Sequence, residues 1–91
     1  MAAYLITYDL NTPGKDYSEL YEAIKKSCSY YCHYLDSVWI VKSSLSPEEI
    51  FDNIHPKMDK NDYLLIIEVK NNKQGWLPKE AWDCLNNHIF T

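Results

Sequence analysis

A chain of 91 residues is long enough for one domain and too short for two, and a domain of this size gains stability from pairing with a second copy. Hydrophobic residues make up 46% and charged residues 24%, with two glycines, which excludes a disordered or low-complexity chain. The formal net charge is −4 and all nine basic residues are Lys, so the chain has no guanidinium fork for phosphate and disfavours non-specific attraction to nucleic acid.

Ala3 to Leu10 reads as a strand, because Tyr4, Leu5, Ile6, Thr7 and Tyr8 are aromatic, aliphatic or β-branched. Its apolar run ends in a carboxylate, Asp9, and Pro13-Gly14 then marks a loop. Asp16 and Glu19 have capping-box spacing, and Tyr17, Leu20, Tyr21, Ile24 and Cys28 recur with helical period, which predicts a helix over Tyr17–Ser27. The aromatic and β-branched stretch that follows is too long for one ordinary strand. A break at Asp36-Ser37 gives strands over Tyr30–Leu35 and Val38–Lys42; a bulge there is the alternative.

Ser46-Pro47-Glu48-Glu49 is a helix start, with Ser at the N-cap, Pro at the first helical position and Glu at the third. Ile50, Phe51 and Ile54 give that helix an apolar stripe, and Pro56 ends it. Lys57 and Lys60 flank Asp59 and Asp62 in a solvated turn, and Tyr63 to Val69 is the clearest strand. After a polar loop, Pro78 opens a last helix, about 78–90, with Ala81, Trp82, Leu85 and Ile89 on its apolar face.

The order β-α-β-β-α-β plus a terminal helix predicts a single α+β domain over residues 1–91. This is the ferredoxin-like arrangement, a four-stranded antiparallel sheet with two helices on one face. Leu5 and Ile6 point to opposite faces of their strand, as do Leu64 and Leu65, so both faces of the sheet should be covered. The Trp76–Phe90 segment and a second copy of the chain are each expected to contribute, with Trp76 and Trp82 as anchors.

No apolar run approaches membrane-spanning length, and the start of the chain lacks a basic region followed by a long apolar stretch, which predicts a cytoplasmic protein with no membrane contact. Three Cys, an odd number, argue for reduced thiols over a disulfide framework. Cys28 and Cys32, and Cys84 and His88, are each four residues apart. Three Cys and one His could make a tetrahedral zinc site, although neither pair has the tight Cys-x-x-Cys spacing and Cys28 fits the apolar stripe of its helix. His33 beside Asp36 is a candidate general base or a structural His. Tyr30, Tyr31 and Tyr34, with Tyr4 and Tyr8, could stack single-stranded bases; dimer-interface rings are the reading favoured by the mixed local charge.

Asp9 is the residue on which function turns. At the end of a first strand it either caps the turn into the Pro-Gly loop together with Asn11, or holds a metal ion. Mg²⁺ takes one or two protein carboxylates and fills its shell with water and substrate phosphate, so two Asp9 side chains facing each other across a dimer axis would suffice.

The stretch "YLITYDL", a helix, and then "SVWIVKSSLSPEEI" resembles the small CRISPR-associated Cas-two nucleases and the related VapD ribonucleases. Tyr8-Asp9-Leu10 matches the hydrophobic-Tyr-Asp-hydrophobic end of the family's first strand, and Ser37-Val38-Trp39 is similar to its Ser-Val-Phe element. The segments "YDLN-PGKDY" and "HYLDS-W-VK" and the tail "GWLPKEAW" resemble more closely short bacterial proteins labelled "SinR family", a label that names no activity to carry over. The resemblance to the nucleases implies a ferredoxin-like homodimer in which Asp9 of each subunit is the catalytic metal ligand, with Mg²⁺ as cofactor and RNA or DNA as substrate. Tyr34-Leu35-Asp36 stands where the CRISPR-type members have Arg-Val-Gln, and the Pro78–Phe90 helix stands where they have a final strand. Relatives also serve as scaffolds, so the alternative is a non-catalytic dimeric module with a protein partner in a defence or toxin–antitoxin system.

Overall fold

The computed structural model describes all residues from Met1 to Thr91. Its elements are β1 (Ala2–Asp9), α1 (Ser18–Lys26), β2 (Tyr30–Leu35), β3 (Val38–Ser43), α2 (Pro47–Ile54), β4 (Tyr63–Val69) and α3 (Lys79–Cys84). A 3₁₀ turn, His55–Lys57, extends α2, and a π-helical turn, Leu85–Ile89, extends α3. The strands form one antiparallel sheet in the order β2-β3-β1-β4. With α1 and α2 on one face, this is the ferredoxin-like α+β fold expected from the order of elements.

The first face carries the main core. Tyr4, Ile6 and Tyr8 of β1 and Trp39 and Val41 of β3 meet Leu20 and Ile24 of α1 and Ile50 and Ile54 of α2. Full burial of an aliphatic side chain contributes about 1.5–3 kcal/mol, so the two short helices are held mainly by their apolar stripes. At the start of α2, the Ser46 hydroxyl accepts from the Glu49 N–H at 3.1 Å and the Glu49 carboxylate accepts from the Ser46 N–H at 3.0 Å, a complete capping box. The corresponding box expected at α1 does not form. The helix begins at Ser18, and Asp16 accepts from the Ser18 N–H at 2.9 Å, which closes a local turn and leaves Glu19 inside the first helical turn. Asp36-Ser37 is the β2–β3 turn and not a bulge, and the pairing shifts register nearby, between Cys32 and Leu35.

On the second face, Leu85 and Ile89 pack with Cys32 of β2, bordered by Ala3, Ile40, Leu77, Trp82, Cys84 and Phe90. The C-terminal segment therefore covers the β2–β3 half of this face. Over the β4 half, Leu65 is 54% exposed and Ile67 50% exposed. Trp82 packs against the sheet as expected, whereas Trp76 is 99% exposed and anchors nothing in the monomer. It precedes Pro78 in the extended connector, before the first residue that touches the sheet-bound cluster, Leu77.

The expectation of three reduced thiols is corrected. Cys32 and Cys84 form a disulfide across 52 positions, with Cα atoms 6.1 Å apart, and Cys28 is the remaining free thiol. An odd count leaves one thiol over without forbidding a pair, and the packing of α3 across β2 brings these two together.

Candidate functional site

Asp9 ends β1 directly opposite Tyr63, the first residue of β4. Alternation along the strand sends Tyr4, Ile6 and Tyr8 into the main core and places Leu5, Thr7 and Asp9 on the second face. The same register sets Leu65 beside Thr7 and Ile67 beside Leu5. Asp9 thus sits at one end of the apolar stripe that the C-terminal segment leaves open. It lines a shallow cleft of about 270 Å³ with Thr7, Tyr8, Tyr63, Leu64 and Leu65.

The loop after β1 is fastened by other groups. The Asn11 N–H donates to Asp62 at 2.7 Å, and the Asn11 side-chain amide donates to the carbonyls of Asn61 at 2.9 Å and Asp9 at 3.3 Å. The Tyr17 hydroxyl donates to Asp62 at 2.9 Å, and the Asp59 N–H donates to it at 2.8 Å. Lys15 pairs with Asp59 at 2.9 Å. The turn-capping role open to Asp9 is therefore filled by Asn11 and Asp62. Only the backbone carbonyl of Asp9 takes part, while its carboxylate is exposed and accepts no hydrogen bond or ion pair.

Burial pushes the pKa of Asp62 up, but hydrogen bonds from the Asn11 and Asp59 N–H groups and the Tyr17 hydroxyl outweigh it and hold the carboxyl below its usual value. The Lys15 ammonium lowers Asp59 likewise. Asp59 and Asp62, read from the sequence as a solvated turn, are in fact the clasp between the β1–α1 and α2–β4 loops. The partners of Asp62 at Asn11 and Tyr17 are 51 and 45 positions away, so no local pattern marks it.

A single protomer offers no group of three or more His, Cys, Asp or Glu side chains placed around a metal ion. Its donor set at the β1 terminus is one free, exposed carboxylate. That fits Mg²⁺ as half of a site completed by a second copy, because the ion needs few protein oxygens and accepts water for the rest.

The other candidates lie elsewhere. His33 stacks on Trp39 with ring centroids 3.9 Å apart, on the helix-covered face and so across the sheet from Asp9. Burial against that ring lowers its pKa, partly offset by Asp36. The tyrosines do not form one platform. Tyr31 packs on Trp39 on the first face, Tyr30 stacks on His88 on the second, and Tyr34 lines an apolar cleft under the C-terminal segment. Tyr4 and Tyr8 are core residues; Tyr8 accepts from the Trp39 indole N–H at 3.0 Å. The four-ligand zinc set does not assemble. Cys28 packs beneath the helices, on the opposite side of the sheet from Cys32 and Cys84, and His88 is engaged with Tyr30. No helix is long and apolar enough to cross a membrane. Comparison of the chain with protein-family models, with curated proteins and with solved structures found no match.

Proposed function

We propose that the protein works as a homodimer on nucleic acid, as a Mg²⁺-dependent phosphodiesterase in which Asp9 of each copy holds a shared ion. The observation that carries this reading is the idle carboxylate: Asp9 is exposed, unpaired and placed at the end of an uncovered apolar stripe. A second copy seated on Leu65 and Ile67 would bury that stripe and bring its own Asp9 toward the first. Asp9 would supply the negative oxygen ligands, and the Asn11–Asp62 clasp would fix the backbone that carries it. A Mg²⁺ ion bound there acidifies a water molecule and offsets charge on the phosphodiester. The Tyr8-Asp9-Leu10 resemblance to the Cas-two and VapD nucleases points the same way.

A second reading, a non-catalytic dimeric scaffold, is favoured by the net charge of −4 and the absence of Arg, which leave few groups to grip a polyanion. Labelled RNA and DNA incubated with dimeric protein, with and without Mg²⁺, separate the two. The nuclease reading expects metal-dependent cleavage that Asp9→Ala reduces by more than about 100-fold, beyond the effect of losing an outer-sphere partner of a metal site. Equal cleavage by both proteins, or none by either, overturns it in favour of the scaffold.

A further inference from the structure

The C-terminal segment is held on the second face by its disulfide and by one small apolar cluster, Leu85 and Ile89 against Cys32 with Leu77, Trp82 and Phe90 partly buried around them. Within it only Ala81, Leu85 and Ile89 are buried. Its polar and ring contacts lie at the surface: Lys42 to Thr91 at 2.9 Å, Tyr30 stacked on His88 at 4.9 Å, and Lys73 over the Phe90 ring at 4.8 Å. Beneath it runs an apolar cleft of about 170 Å³, bordered by Leu5, Ile40, Leu77 and Trp82, where segment and sheet do not fully meet. Lys70–Gly75 joins it to β4 without a helix or strand. Its helical part, Lys79–Ile89, is shorter than an isolated helix needs to persist in water and ends in a π-helical turn.

Cys32 lies on β2, an edge strand, next to the register shift of the β2–β3 pair. Cys32 is buried, but Cys84 is partly exposed, so a small reagent can reach the bond from the Cys84 side. Cys28 cannot exchange with it, being across the sheet and kept as a thiol by burial, which pushes its pKa to about 11.

We propose that Cys32 and Cys84 form a thiol–disulfide latch: closed, it clamps the 76–91 segment on the sheet; open, it lets the segment lift and bares the Cys32, Ile40 and Leu5 surface. The bared surface joins the Leu65–Ile67 stripe into one apolar face across all four strands. Closure by a low-molecular-weight disulfide such as oxidised glutathione balances in two exchanges. The Cys84 thiolate attacks one sulfur and expels one glutathione thiolate, leaving a mixed disulfide. The Cys32 thiolate then attacks Sγ of Cys84 and expels the second glutathione thiolate. The two protein thiols lose two protons and two electrons, and the oxidant leaves as two thiols. A dithiol reductant reverses both steps.

The test is hydrogen exchange on the full chain equilibrated in oxidised glutathione or in excess dithiothreitol, with linked peptides identified by mass spectrometry. The latch expects a Cys32–Cys84 linkage in the oxidised sample. It also expects exchange at residues 81–90 to rise by at least about tenfold on reduction, with β1 and β3 unchanged. Cys84→Ser should match the reduced protein under both conditions, and Cys28→Ser should keep the response. Failure of the linkage to form, a rise below tenfold, or a parallel rise in β1 and β3 would each overturn it; the last would make the bond a staple for the whole domain. None of these outcomes depends on nuclease activity.

Discussion

The Ser43 hydroxyl donates to the Ser27 carbonyl at 2.6 Å and accepts from the Leu45 N–H at 3.1 Å, with the residue 1% exposed. It joins the end of α1 to the exit of β3. The Ser27 hydroxyl continues the link, donating to Ala23 at 2.8 Å and accepting from Asn53 at 3.3 Å. Replacing Ser43 by Ala removes one side chain and strands two backbone groups, and an unsatisfied buried polar group costs about 1–3 kcal/mol. Ser43→Ala should therefore lower unfolding free energy by about 2 kcal/mol in urea denaturation, with an unchanged slope; a loss below about 0.5 kcal/mol would mean that water replaces the hydroxyl. The Leu45 N–H lies two residues on and is a local partner, but the Ser27 carbonyl could not be named from the sequence, because it is reached only once two elements have packed. Asp9 was legible differently. Its place at a strand end could be read locally, but which of its two roles was free depended on Asp62, which is distant in sequence.

Among the elements, α2 and β4 were the most legible, for opposite reasons. The Ser46–Glu49 box is a pattern of four residues whose hydrogen bonds close within those four. For β4, the apolar run Tyr63–Ile67 signals a strand without saying what covers it. The structure places β4 at the sheet edge, with one side chain row in the core and the other, Leu65 and Ile67, in solvent. Long apolar edge strands recruit partners unless charge or Pro blocks them, and neither Leu65 nor Ile67 is replaced by such a residue. Leu65→Lys with Ile67→Lys should thus turn a dimer into a monomer in analytical ultracentrifugation while leaving far-ultraviolet circular dichroism unchanged. A dimer that survives both charges would place the interface elsewhere. The C-terminal element was legible as a helix but not as a tethered one, since a bond between positions 32 and 84 is a fact of tertiary packing.

At the scale of the molecule, three carboxyls with lowered pKa values, Asp16, Asp59 and Asp62, gather at the end where the β1–α1 and α2–β4 loops meet. A depressed folded-state pKa contributes stability that is complete above the unfolded value, about 3.9, and is lost as pH falls through the folded value. Acid should therefore loosen this end before the core. In a nuclear magnetic resonance titration, the Asn11, Ser18 and Asp59 amides should move below about pH 4, ahead of Ile6 and Val41. Simultaneous movement of all five would show that the clasp has no separate acid response. The second face of the sheet, with its disulfide and second cluster, carries none of these carboxylates.

The three tryptophans occupy three different surroundings: Trp39 is sealed in the main core, Trp82 is half-covered on the second face, and Trp76 stands in solvent. Indole emission shifts to longer wavelength as water reaches the ring, so the protein carries one built-in optical reporter for each layer. A blue edge belongs to the domain itself, a red edge to the connector, and the middle of the band to the seating of the C-terminal segment. Any process that moves that segment alone should shift the middle and leave both edges in place.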